Sequence, residues 1–307
     1  MTDDNNRVAI LLSTFNGEKF LPQQLDSLYA QNHPNLHIFV RDDGSSDGSL
    51  AIAQRYARQK GGMTVMPGKN VGFVQSFFEL LQLAGNGYDF YFFCDQDDVW
   101  HPDKVAAAVD GLLQRGLRGP GMYCSRTEYV DEQLNTLGMS PGYPDAKLGW
   151  GNALVQNVAT GCTMAINAPA RALLTAQLPG QCLAHDWWVY LVVSAFGEVV
   201  FDQRSHIRYR QHGSNTIGML QGGWAGQWSR VRRFWRRSGF GFLDQLAEFL
   251  RIHGDYLEAD RREQVRWLLR SRQRWQDGVR VAAMGFYWRT SLVDSLILRV
   301  LLVLKKY

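Results

Sequence analysis

Within the first hundred residues, apolar runs of strand length alternate with amphipathic stretches, and this alternation admits few folds. The runs are Val8–Ser13, Leu36–Arg41, Met63–Met66 and Phe90–Cys94. Between them lie helical patterns near Glu18–Gln31, at Ser49–Gln59 and at Val74–Leu83, with Gly, Asn or Pro clusters at the joins. Strands that point the same way after each intervening helix pair in parallel, and the helices cover both faces of the sheet. The expected fold class is α/β, with a mostly parallel central sheet flanked by helices.

In such a sheet the ligand crevice lies beyond the carboxyl ends of the strands, so the residues that follow each run carry the functional information. They are Thr14-Phe15-Asn16-Gly17-Glu18, then Asp42 through Gly48, then Pro67 through Gly72 with Asn70 among them, and finally Asp95-Gln96-Asp97-Asp98. Ser45, Ser46 and Asp47 read equally well as helix caps, and Asp98 as a turn cap before Pro102. Capping does not explain three carboxylates within four positions, which repel one another unless a cation or protons relieve them. No G-x-x-x-x-G-K-[ST] and no G-x-G-x-x-G follows the first strand. Clustered hard oxygen donors instead suit Mg²⁺ or Mn²⁺ beside the phosphates of a nucleotide.

Three segments, Val8 through Glu18, Val40 through Ser49 and Cys94-Asp-Gln-Asp-Asp-Val-Trp100, stand in an order and spacing that resemble the family-2, GT-A-fold inverting glycosyltransferases. The last segment is similar to bacterial rhamnosyltransferase-like members that build surface polysaccharides. The resemblance covers roughly residues 7–217 and implies a Rossmann-like GT-A domain. It implies that Asp43 accepts a hydrogen bond from a pyrimidine base, with Thr14, Asn16, Glu18, Asn70 and Asp95 around the nucleotide sugar. Asp97 would hold a divalent metal, Mg²⁺ or Mn²⁺, with His212 as a second ligand, while Arg208 or Arg210 would contact the diphosphate.

His185-Asp186-Trp187-Trp188 opens an apolar helical stretch through Phe196, where the family carries an acidic pair. Asp186 is the implied general base, ionised at neutral pH without a large shift. His185 departs from the commoner Glu-Asp pair, and the Asp also suits a helix first turn. Ala159 through Met164 would form the floor beneath the acceptor, or ordinary strand packing. The implied reaction moves a sugar, rhamnose among the candidates, from a dTDP- or UDP-linked donor to a glycan hydroxyl. Surface polysaccharide or O-antigen synthesis would use it. The residues alone also admit a non-catalytic module that binds nucleotide sugar or polysaccharide; the presence of both Asp97 and Asp186 favours the enzyme.

Charge divides the chain. Residues 219–307 carry 17 Lys and Arg against 8 Asp and Glu, net +9, and six of the ten tryptophans, whereas residues 1–218 are net −5. The expected division is a catalytic domain over 1–218, with a nucleotide-sugar half at about 1–100 and an acceptor half at about 101–218. A helical C-terminal region at 219–307 follows, with helices at Gln227–Arg237, Phe242–Ile252 and Leu292–Leu304. The last of these is nearly apolar all round, with Leu292, Val293, Leu296, Ile297, Val300, Val303 and Leu304 on one broad face. Such a helix is packed in protein, shared in a homodimer, or sunk partly in lipid. Trp and Arg interleaved along the helices of this region suit an anionic membrane surface and hence a lipid-linked acceptor. Nucleic acid is a poorer partner, because the catalytic half is acidic.

Met1–Arg7 is acidic and polar, and Val8–Leu12 is too short for a signal peptide, which argues against export. Four cysteines without a C-x-x-C pair fit reduced thiols. The expected location is the cytoplasm, with attachment to the inner face of the membrane left open.

Overall fold

The computed structural model describes residues 5–212 and 241–305. The expected helix Gln227–Arg237 lies outside them, as do Trp224, Trp228 and Trp235. The chain begins β1 (Val8–Thr14), α1 (Leu21–Tyr29), β2 (Leu36–Asp42), α2 (Ser49–Lys60), β3 (Met63–Pro67), α3 (Phe73–Ala84) and β4 (Phe90–Cys94). It continues with β5 (Val99–Trp100), α4 (Lys104–Gln114), β6 (Gly121–Val130), β7 (Thr136–Met139), α5 (Trp150–Ala153), β8 (Ala165–Asn167), α6 (Ala168–Ala176), α7 (His185–Phe196) and β9 (Glu198–Arg210). The last third adds α8 (Phe242–His253), α9 (Ala259–Arg270), α10 (Trp275–Ala283) and α11 (Leu292–Leu304).

Two compact units emerge. The first comprises Met1–Gly142, Ala159–Leu178 and Gly197–His212, and the second Tyr143–Val158, Pro179–Phe196 and the chain from Gly213 onward. A single linear boundary near residue 218 therefore does not describe the chain. The helix that carries Asp186, assigned from sequence to the first domain, belongs to the second unit. Composition could not reveal this, because α7 bears no charge after its first two residues that would mark its partners.

The first unit is built on a sheet of order β3-β2-β1-β4-β8-β6-β9-β5, with β7 on β6. β3, β2, β1 and β4 run parallel, as the alternation of strands and helices requires. Beyond β4 the sheet is mixed: β8 lies antiparallel to β4 and β6, while β9 is parallel to β6. Val8, Ile10 and Leu12 of β1 and Phe90, Phe92 and Cys94 of β4 enter the main core with Leu25, Val40 and Trp100. Central parallel strands buried on both faces read as continuous apolar runs, and every residue of Phe90–Cys94 is buried. α3 starts at Gly72 and stops at Gly85, both at positive φ, which glycine tolerates without a Cβ clash.

In the second unit, α7 is buried from His185 through Ala195. The Trp187 indole donates to the carbonyl of Ala153 at 2.8 Å, and the Tyr190 hydroxyl donates to Asn152 Oδ1 at 2.8 Å. Trp188 meets Phe249 of α8 edge to face at 6.2 Å between centroids. An apolar helix with no polar face is stable only inside such packing. Among the described residues, no helix is long and apolar enough to cross a membrane.

Candidate active site

The four strand ends named from sequence converge in the first unit, and the loops after β1, β2 and β4 are tied to one another by side chain to backbone bonds. At the end of β1, Thr14 donates from its hydroxyl to Gln96 Oε1 at 2.6 Å. Gln96 also accepts from the Phe15 amide at 2.8 Å and donates to the Phe15 carbonyl at 3.1 Å. Gln96 was not singled out from sequence. Strand alternation does not find it, because Gln96 follows the end of β4 in a bend and only the fold brings it to Thr14 and Phe15.

Asn16 holds a positive φ of 49° and its Oδ1 accepts from the Ser46 amide at 2.8 Å. Glu18 accepts through Oε2 from the Gly48 amide at 2.6 Å, at the start of α2. Both residues brace the loop after β2. Gly44, at φ +80°, lies so near the third loop that a Cβ there would stand 3.0 Å from the Asn70 amide nitrogen. Asn70 itself is exposed on that loop.

Asp43 is 2% exposed. Its Oδ1 accepts from the Arg41 guanidinium and from the Val71 amide at 2.9 Å, and its Oδ2 accepts from the Gly72 amide at 2.9 Å. Arg41 is also buried and donates to Glu79 of α3 at 2.5 Å and to the Lys69 carbonyl at 3.0 Å. Arg41 and Glu79 escaped the sequence reading because they lie 38 positions apart and only the fold pairs them. Asp43 thus braces the loop before α3 with three of the roughly four acceptor sites of a carboxylate.

On the β4 side, His212 Nε2 lies 2.8 Å from Asp97 Oδ2, and the imidazole stacks on Phe20 at 5.1 Å. Sequence reasoning named both residues, 115 positions apart. Arg210 is placed differently from its expected diphosphate contact. It is 1% exposed, its Nε donates to the Asp97 carbonyl at 2.8 Å, its Nη2 donates to Gln23 at 2.5 Å, and Nη1 reaches the Glu132 carbonyl. Its amide donates to Asp98 Oδ1 at 3.1 Å, so Arg210 anchors the loop that presents Asp97. Arg208 is the more exposed of the two arginines.

Two donor sets here could meet a metal. Asp95, Asp98 and Cys162 offer ligand atoms within 4.8 Å of one another. Burial, reinforced by the charges of Asp97 and Asp95, pushes the Asp98 carboxyl well above the usual range, and burial does the same to the Cys162 thiol. Asp98 and Cys162 are both fully enclosed, and a soft thiol is a poor ligand for a hard divalent ion. Asp97 and His212 are partly accessible and combine a carboxylate oxygen with an imidazole nitrogen. That set, with Asp95 nearby in the chain, fits Mg²⁺ or Mn²⁺ better. Beneath it Lys104 is buried, donates to the Cys162 carbonyl at 2.9 Å and stands 4.6 Å from the Trp100 ring centroid. Burial pulls its amine down to about 8.

In the second unit, Asp186 occupies the first turn of α7 and is 8% exposed. The Trp187 amide donates to its Oδ1 at 2.6 Å, so the carboxylate is oriented by the helix start. His185 beside it is fully enclosed, and burial pulls its imidazole down to about 3, which keeps it neutral. Ala159 through Met164 forms a short 3₁₀ turn at Gly161–Thr163 leading into β8, in place of a simple strand.

Solved structures share this architecture. TarS of S. aureus in complex with UDP-GlcNAc is 16% identical with a TM-score of 0.58, over 97% of this chain and 81% of that one. The mannosyltransferase PcManGT of Pyrobaculum calidifontis, solved with GDP-Man and Mn²⁺, is 16% identical with a TM-score of 0.56, over 100% of this chain and 83% of that one. The fold is that of a GT-A glycosyltransferase. Residues 9–155 match the family model described as glycosyl transferase family 2. A dTDP-rhamnosyl transferase of Shigella flexneri, RfbG, is 25% identical over 67% of this chain and 73% of its own length. An uncharacterized glycosyltransferase of Rickettsia typhi is 25% identical over 80% of this chain and 75% of its own. The family model, these relatives and the shared architecture together support a glycosyltransferase of family 2.

Proposed function

We propose that this glycosyltransferase is an inverting enzyme that moves a sugar, rhamnose foremost, from a dTDP- or UDP-linked donor to a hydroxyl of a glycan acceptor. Bacterial surface polysaccharide or O-antigen synthesis is its setting, with a lipid-linked acceptor at the inner face of the membrane. One observation carries the donor half of this reading: Asp97 and His212 meet at 2.8 Å although 115 positions separate them. Support for the sugar comes from the RfbG relative, and support for a nucleotide-sugar donor from the UDP-GlcNAc and GDP-Man in the similar structures.

Asp97 and His212 would hold a divalent ion. Such an ion, when bound, neutralises charge on the departing nucleoside diphosphate. The chain does the rest. Thr14, Gln96 and Asp43 keep the donor loops in place before substrate arrives, so little ordering entropy is lost on binding. Asp186 takes the proton from the acceptor hydroxyl as the oxygen attacks the anomeric carbon. Attack on the face opposite the leaving group inverts that carbon.

The test is a titration of UDP-, dTDP- and GDP-sugars with and without Mn²⁺, followed by turnover with a glycan acceptor. Metal-dependent binding of a dTDP- or UDP-sugar and a product of inverted configuration are expected. Binding of none of the three donors would sink the donor assignment. Binding without any turnover would favour a carbohydrate-binding module instead.

A further inference from the structure

α11 carries an unusual division of its surface. Leu298 and Leu302 are buried, whereas Leu292 is 74% exposed, Val293 64%, Leu296 64%, Ile297 48%, Val300 56% and Leu304 56%. At 100° per residue these six exposed positions span an arc of about 140° along a helix roughly 20 Å long. None of them is charged. The rest of the helix is committed to protein: Leu298 and Leu302 are buried on the far side, and Arg299, beside the arc, donates to the carbonyls of Ala282 and Met284 at the end of α10, the latter at 2.8 Å. Gly278 of α10 lies so close to α11 that a Cβ there would stand 2.6 Å from the Leu302 carbonyl oxygen. The helix is therefore held in one rotation, and its apolar arc has no freedom to turn inward.

We infer that this arc is a docking face for an anionic lipid surface, into which α11 sinks lengthwise. Charge selects this occupant. Residues 271–305 hold six Lys and Arg against two Asp, and Arg274, Arg280 and Lys305 are exposed. α10 adds exposed Trp275 and Val279. A helix with a wide apolar face, a neighbouring tryptophan and flanking cations lies in the headgroup boundary of a bilayer. A homodimer interface of equal apolarity would gain nothing from the cations, which repel one another across a two-fold axis. The tryptophans are less informative than their number suggests. The Trp288 indole donates to the Lys147 carbonyl at 3.0 Å within the second unit, so of the three described tryptophans in the tail only Trp275 is largely exposed.

The inference deepens the lipid-linked acceptor reading and is tested apart from it, since vesicle binding needs no sugar and donor binding needs no vesicle. Full-length protein is sedimented with vesicles of phosphatidylglycerol and phosphatidylethanolamine, and with neutral phosphatidylcholine vesicles, at low and high salt. The double substitution Leu296→Glu with Val300→Glu changes two exposed positions, and its fold is checked by circular dichroism and by retained donor binding. The parent protein should bind the anionic vesicles, with tryptophan emission quenched by brominated acyl chains. The double variant should lose at least tenfold in partitioning, and Arg280→Glu severalfold with a flatter salt dependence. Donor affinity should be unchanged in both. Equal partitioning of the folded double variant and the parent would overturn the inference. So would absence of vesicle binding with a parent dimer that the same substitutions convert to monomer by light scattering.

Discussion

At the ends of β1, β2 and β4, Thr14, Asn16, Glu18, Asp43 and Gln96 turn their polar atoms onto neighbouring loops, whereas α11 turns six large apolar side chains outward. The first arrangement spares a ligand the work of ordering flexible loops. The second leaves apolar area in water, which a folded chain keeps when something else covers it. A rim that closes on itself recognises a small polar ligand, and a face that stays open fits an extended surface. The two regions therefore respond to different perturbations.

The largest effect should come from removing the cation at the centre of the rim. Arg41→Met leaves the buried Asp43 carboxylate and Glu79 without their partner, and breaking a buried pair costs about 3–5 kcal/mol. Chemical denaturation should show that loss together with loss of donor binding. A variant that keeps full stability would show that Asp43 can be satisfied by the Val71 and Gly72 amides alone.

Substitutions at the chemistry come next. Asp97→Ala should abolish the metal-dependent part of donor affinity while the fold persists, measured by calorimetric titration of Mn²⁺ with nucleoside diphosphate. If that affinity survives, Asp97 is not a ligand. Asp186→Asn should lower turnover by at least ~10² with donor affinity nearly unchanged, because a general base acts mainly in the transition state. Parent-like turnover would reduce Asp186 to the first-turn acid of α7.

The smallest effect is a pH dependence that belongs to the second unit. His253 is packed among Phe249, Phe196 and Trp188 at 5.2, 5.6 and 6.1 Å between ring centroids, and burial pulls its imidazole down to about 4. An unfolded histidine takes a proton near 6.5. Between those values unfolding takes up a proton, so stability falls as the pH drops, by up to about 1.4 kcal/mol per pH unit. His253→Phe should shrink the difference in unfolding free energy between pH 7 and pH 5. A difference as large as in the parent would place the sensitivity elsewhere.

The strands and helices of the first hundred residues were legible because each is a local pattern: Phe90–Cys94 matches at both ends, and α7 and α11 also begin and end where their apolar runs do. Asp97 and His212 were legible from their places in a family motif. What escaped depended on distant partners. Arg208 and Arg210 stand two positions apart on an unshifted stretch of β9, so alternation puts them on one face and does not tell them apart. The buried position of Arg210 then depends on Asp97, Glu132 and Gln23, which no local pattern ties to it. The apolar arc of α11 was visible as a face, yet which side would be covered was not, because Leu298 and Leu302 are as apolar as the residues left outside.

The second unit is assembled from three stretches of chain, with α7 near the middle of the sequence and α8 to α11 at its far end. During synthesis, the helix that bears Asp186 leaves the ribosome well before the residues that enclose it, so Trp187, Trp188 and the apolar run behind them spend that interval without their final neighbours. Domains fold as units when their last contacting segment arrives, and contacts so distant in sequence form slowly. The last third of the chain is thus a scaffold for the base-bearing helix as well as a surface. Shortening the protein to remove its docking face would strip that scaffold and expose a sticky intermediate, so substitutions on the outer arc of α11 are the gentler way to separate attachment from catalysis.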